Sequence, residues 1–148
     1  MKQNKNEGMT LIVKTITRFT VWLILLYGLY LIAHGHLSPG GGFAGGLVIA
    51  LSYIHLILAY GKNFIDKRVG LGAMHGLEAF GILAFLFVGL LGLYQAGAFF
   101  LNIMDKGALF EVFSSGVIPV INVFIGLKVG AGLYIAFYYL SDFWMKAE

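Results

Sequence analysis

His36-Leu37-Ser38-Pro39-Gly40-Gly41-Gly42-Phe43-Ala44-Gly45-Gly46 lies between two long apolar runs and decides how the chain is read. It holds five of the 21 glycines and one of the two prolines. Glycine at this density on a hydrophobic boundary implies that backbone comes close to something, since no side chain holds a neighbour away. Ser38 before Pro39 reads as an N-cap followed by the first helical residue. The first turn of the helix so predicted is nearly bare peptide. It leaves the N–H groups of Gly40 to Gly42 for a neighbour, a headgroup or an anion.

The surrounding composition names the solvent. Apolar residues make up 59% of the 148 positions and charged residues 11%, with a mean hydropathy of +0.87. These values lie outside the range of ordinary soluble domains. The reading is an all-α integral membrane protein, a single four-helix domain over residues 1–148 with no separate soluble part. The net charge of +3 does not point to nucleic acid, because the basic residues gather at span ends. With no cysteine, disulfides and thiolate metal sites are excluded. The basic N-terminus precedes an apolar run long enough to span, with no small-residue cleavage pattern after it, and reads as a retained helix rather than a signal peptide.

Outward from the glycine stretch, the first span is predicted from about Thr15 to Ala33 and the second from about Phe43 to Tyr60. A short basic loop over Gly61–Gly70 leads to a third span from about Gly72 to Phe99, long enough to tilt. Asn102–Ser115 reads as a loop, followed by a fourth span from about Val117 to Leu140 with Pro119 in its first turn, and a tail from Asp142. Lys2, Lys5, Lys14, Arg18, Lys62, Lys67, Arg68 and Lys146 then fall on one side, while the opposite side has Lys106. The positive-inside rule places both termini in the cytoplasm and the glycine stretch outside.

Two stripes of small residues are visible. Gly42, Gly46 and Ala50 recur every fourth residue on the second span, as do Gly126 and Gly130 on the fourth. Such stripes let helix backbones approach in lipid, where no hydrophobic effect drives association. Lys128 points away from the Gly126/Gly130 stripe at 100° per residue. One face of this helix asks for a close neighbour and the other must hide a charge, so partner subunits are implied.

Four ionisable side chains are placed inside the membrane. Lys128 is near mid-span, Glu78 roughly 10 Å and His55 about 8 Å from the cytoplasmic ends of their helices. His75 precedes Glu78 by three residues on one face. Charge in hydrocarbon needs a partner or water, so His55, His75, Glu78 and Lys128 form a candidate proton or ion relay. The plainer reading is a Glu78–Lys128 ion pair that fixes register. His34 and His36 lie at the outer mouth, where solvation explains them. Asn122, one turn below Pro119, is expected to bond to a carbonyl the proline frees. No catalytic constellation, metal site or nucleotide fingerprint is visible, and no cofactor is expected.

The form GHxxPGGGFxGG, here Gly35 to Gly46, resembles the MnhB/MrpB family, the B subunits of Mrp-type multisubunit Na+/H+ antiporters. The resemblance extends upstream through Thr15-Ile16-Thr17-Arg18-Phe19 and marks His36, Pro39, Gly40, Gly41, Gly42, Phe43, Gly45 and Gly46 as the family motif. It implies a multi-pass subunit of a prokaryotic cell membrane that does not pump alone. The implied partners are small C-, E-, F- and G-like subunits, large A- and D-like subunits, lipid, Na+ and H+. The same module occurs in archaeal membrane-bound hydrogenase and sulfane reductase complexes, so redox subunits are a second class of partner. The fourth span departs from the Bacillus-type pattern, and no role for Lys128 is carried over. The leading expectation is an accessory antiporter subunit that supports or lines the ion path. The alternatives are the ion-translocating arm of a respiratory complex and a purely structural spacer.

Overall fold

A computed structural model describes residues 9–37, 39–105, 107 and 114–147. Five helices follow in order: α1 (Leu11–Ala33), α2 (Gly41–Tyr60), α3 (Lys62–Asp66), α4 (Leu71–Ala96) and α5 (Ile118–Ala147). All but α3 are long and apolar enough to cross a membrane, and no strand occurs among the described residues. The chain is an all-helical membrane protein.

The helices stand in a row, α1 against α2, α2 against α5, and α5 against α4, with a minor contact between α1 and α5. Burial follows this order: 39% of the spanning window of α2 is buried against 17% for α4, so α2 is interior and α4 peripheral. The Met9 N–H donates to the Ala59 carbonyl at 2.8 Å. Lys62 pairs with Asp142 near the far end of α5. The start of α1 and the finish of α5 therefore share one end of the bundle, which also carries α3 and most of the basic residues.

Backbone sign decides several boundaries. Gly40 and Gly41 have φ of 120° and 53°, values that exclude most L side chains. Helix α2 consequently begins at Gly41, between the start that Ser38-Pro39 predicts and the predicted start of the apolar span at Phe43, and the expected N-cap Ser38 lies outside the described residues. Gly97 takes a left-handed conformation and its N–H closes α4 on the Leu93 carbonyl at 3.0 Å. The predicted end at Phe99 is thus three residues too late. The chain folds back there, with the Phe99 and Phe100 rings over Gly89. Helix α1 starts four residues earlier than expected, since the Lys14 N–H already bonds to the Thr10 carbonyl at 3.0 Å.

The connection read as a loop contains α3. Ile65, 1% exposed, packs with Ile57, Met74, Ala131, Tyr134 and Ile135 into the apolar core of this end. The tail is also helical, because α5 runs on beyond Leu140 to meet Lys62. Lys106 and Glu111 of the other loop lie outside the described residues.

Candidate functional site

The two predicted stripes face each other. A Cβ at Gly42 would collide with the Asn122 carbonyl oxygen and approach Ile125 to 2.9 Å, and one at Gly46 would lie 2.7 Å from the Gly126 oxygen. Gly45 serves the opposite side of α2, where a Cβ would fall 2.8 Å from the Gly28 oxygen on α1. The motif thus brings the backbone of α2 against two helices at once, the close approach that small residues permit in lipid.

Asn122 completes this arrangement. It is buried and its Oδ1 accepts the Gly42 N–H at 3.4 Å. The expectation that it bonds to a freed carbonyl is corrected: it receives an orphan donor from the first turn of α2. Gly41 and Gly42 are both buried, so this turn is not bare to solvent. A Cβ at Gly35 would meet Gly41 and reach 2.7 Å from Asn122 Nδ2, so the chain before the motif closes on the same asparagine. The spacing of Asn122, Gly126 and Gly130 was the available signal, since Asn122 continues the glycine stripe by one turn. Phe43 stands 62% exposed on the outside of α2. Pro39 is exposed, His36 half-buried in the turn. His34 stacks on Tyr30 with ring centroids 4.2 Å apart and donates from Nδ1 to the Tyr30 carbonyl at 3.1 Å.

The candidate relay residues divide between two seams. His55 is hydrogen-bonded through Nε2 to Thr17 Oγ1 at 3.2 Å, between α2 and α1. Thr17 is 1% exposed, and sequence reasoning gave this threonine no role. Glu78, His75 and Lys128 belong to the α4–α5 seam. Glu78 is half-buried over Gly132, where a Cβ would lie 2.9 Å from Oε1. His75 is exposed, with its ring 6.4 Å from that of Tyr139.

Lys128 is exposed, about 15 Å along α5 from Ile118. Its backbone packs on Gly81, where a Cβ would lie 3.0 Å from the Lys128 nitrogen. Helical side chains lean toward the N-terminus. Lys128 accordingly lines a cleft of about 230 Å³ with Phe124, Ile125 and Phe85, on the side away from Gly132 and Glu78. No ion pair joins Glu78 to Lys128 among the described residues. The seam therefore carries the Glu78 carboxyl group and, about one turn away, the exposed Lys128 side chain.

An all-helical membrane protein with glycine-mediated packing and intramembrane charges on an open seam is the class this geometry defines. The chain belongs to the MnhB family, described as a domain related to the MnhB subunit of Na+/H+ antiporter, which matches residues 12–135. It is 34% identical over 128 residues to an uncharacterised protein of Methanocaldococcus jannaschii, covering 80% of this chain and 47% of that one. It is 35% identical over 99 residues to the B-type Na(+)/H(+) antiporter subunit of Bacillus subtilis, covering 67% and 68% respectively. Among solved structures it resembles a chain of the membrane-bound sulfane sulfur reductase, an archaeal respiratory membrane complex. There the TM-score is 0.67 at 33% identity, covering 93% of this chain and 63% of that one. The chain thus spans about half the length of the archaeal relative, and about two thirds of the Bacillus protein and of the respiratory chain.

Proposed function

We propose that the chain is an accessory subunit of a multisubunit Na+/H+ antiport module in a prokaryotic cell membrane. Both termini are cytoplasmic on this reading, which the concentration of Lys and Arg at the α3 end supports. It has no catalytic site of its own. It keeps its own shape through the α1–α2–α5 glycine packing and contributes Glu78 and Lys128, with His75 beside them, to an ion path shared with neighbouring subunits. His55 supports the fold through Thr17.

The observation that carries the proposal is Lys128, exposed at mid-depth with no carboxylate in reach among the described residues of its own chain. A lysine facing lipid at the bilayer centre costs about 2.5–3.5 kcal/mol on insertion scales and more by other measures. A neighbouring subunit or a water-lined passage at this seam removes that cost. Na+-dependent proton movement in everted vesicles carrying the assembled complex tests it. Glu78→Gln is expected to abolish exchange while the complex still assembles, and unchanged exchange overturns the role in the path.

The likeness to the respiratory-complex chain over 93% of this sequence supports a second reading, in which the module is the ion-translocating arm of a redox complex such as a membrane-bound hydrogenase. Affinity purification through this chain in mild detergent separates the two. Antiporter-type subunits alone support the first, and co-purifying iron–sulfur or nickel subunits support the second. A purely structural spacer predicts that Glu78→Gln is silent and that only the glycine substitutions matter.

A further inference from the structure

We propose that the groove between α1, α2 and α3 at the basic end of the bundle is a binding site for one anionic phospholipid, its phosphate held between Arg18 and Arg68. The groove has a volume of about 580 Å³ and is lined by Arg18, Trp22 and Leu25 from α1, by Tyr53 and Tyr60 from α2, and by Arg68 after α3.

Depth and order along the groove match a lipid. Tyr60 Oη donates to the Lys14 carbonyl at 2.9 Å, which locks α1 against the end of α2 at the level where the apolar span stops. Arg18 is one turn further in and Trp22 one turn beyond that, on the same face. A cation, then aromatic rings with one polar edge, then apolar walls is the sequence of environments from phosphate through glycerol to acyl chain. Tyr53 also borders a second, apolar cavity of about 600 Å³ that reaches Leu29 and Ile32 on α1 and Leu77 on α4.

Charge selects an anion. Among the described residues, the acidic side chains near α3 have partners away from the groove: Asp142 pairs with Lys62, and Asp66 faces Tyr138 on α5. Arg18 and Arg68 make no ion pair among the described residues. The Arg68 guanidinium carbon sits over the Phe64 ring, 4.5 Å from its centroid. A guanidinium carries the fork of N–H donors that matches a phosphate. A free phosphate would leave the aromatic and aliphatic walls uncovered, and a zwitterionic lipid would bring a cation of its own beside the two arginines.

The test labels the purified complex in detergent with phosphatidylglycerol carrying a diazirine in one acyl chain, and maps the adducts by peptide mass spectrometry. Adducts are expected on the Trp22–Leu25 segment and around Tyr53, suppressed by excess unlabelled phosphatidylglycerol but not by equal phosphatidylcholine. Arg18→Gln with Arg68→Gln is expected to lower the labelling on the order of tenfold. Lys67→Gln, exposed at the same end and outside the groove, is expected to leave it unchanged and controls for bulk charge. Equal competition by phosphatidylcholine overturns the proposal, as does labelling unaffected by the arginine substitutions. Cross-links from the groove to an acidic segment of another subunit instead of to lipid also overturn it, since a protein then occupies the site.

Discussion

Helix α5 presents glycine to both of its main neighbours, for opposite ends. Toward α2, Gly126 and Gly130 meet Gly42 and Gly46 so that backbone touches backbone, with Asn122 closing the row. Toward α4, Gly132 makes room for the Glu78 carboxylate and Gly81 admits the backbone beneath Lys128. The first seam uses small residues for proximity alone, while the second uses Gly81 for proximity and Gly132 to house a carboxyl group. A stripe of glycines is therefore not one signal. Its meaning depends on what the opposite helix brings to it, and substitutions that separate the two uses sharpen the distinction.

The largest effect is expected at the α2–α5 seam. Gly42→Leu drives a branched side chain into the Asn122 carbonyl, a contact that even a methyl group cannot make. Overpacking of this kind costs about 3 kcal/mol or more where backbone cannot yield, and here both backbones are helical. The expected outcome is loss of this subunit from the complex on a native gel, with the uncomplexed chain degraded or aggregated. An intact complex would show that α2 and α5 separate freely, which the buried stripe does not allow.

Asn122→Ala is the intermediate case. Removing the acceptor leaves the buried Gly42 N–H unpaired, a penalty of about 1–3 kcal/mol. The substitution also removes Asn122 Nδ2, which is buried without a hydrogen-bond partner among the described residues. These effects oppose each other, so the expected net loss is about 1 kcal/mol. It should appear as a lower Tm of the detergent-solubilised complex with subunit composition unchanged.

What the sequence reveals follows the same division. Spans and small-residue stripes are repeating patterns, and Gly42/Gly46 against Gly126/Gly130 can be seen at a spacing of four. Helix ends set by the sign of φ at Gly40, Gly41 and Gly97 leave no periodic trace, which is why the Ser38-Pro39 signal starts α2 too early and the apolar pattern ends α4 too late. The five-residue α3 is fixed by contacts across 80 positions, such as Lys62 to Asp142, and short polar segments do not announce such partners. The relay residues can be ranked by depth from spacing. Their grouping depends on the neighbour order α1–α2–α5–α4, which depth does not contain. His55 thus stands apart with Thr17, while His75, Glu78 and Lys128 share a seam.

The smallest effect on the fold, and the sharpest test of the α4–α5 seam, is expected from Glu78→Gln. The two side chains have nearly the same volume, so the space over Gly132 stays filled and register is kept. Because Glu78 makes no ion pair with Lys128 among the described residues, neutralising it leaves no buried cation stranded, the step that makes broken ion pairs costly. Stability of the complex, followed through its Tm, is expected to change by no more than about 0.5 kcal/mol. Ion exchange depends on the carboxylate's capacity to take and release a proton or cation, and glutamine has none. A silent fold with abolished exchange therefore assigns the charge at this seam to transport. A destabilised complex would instead mean that a neighbouring subunit uses Glu78 as a register pin, and both seams of α5 would then be structural.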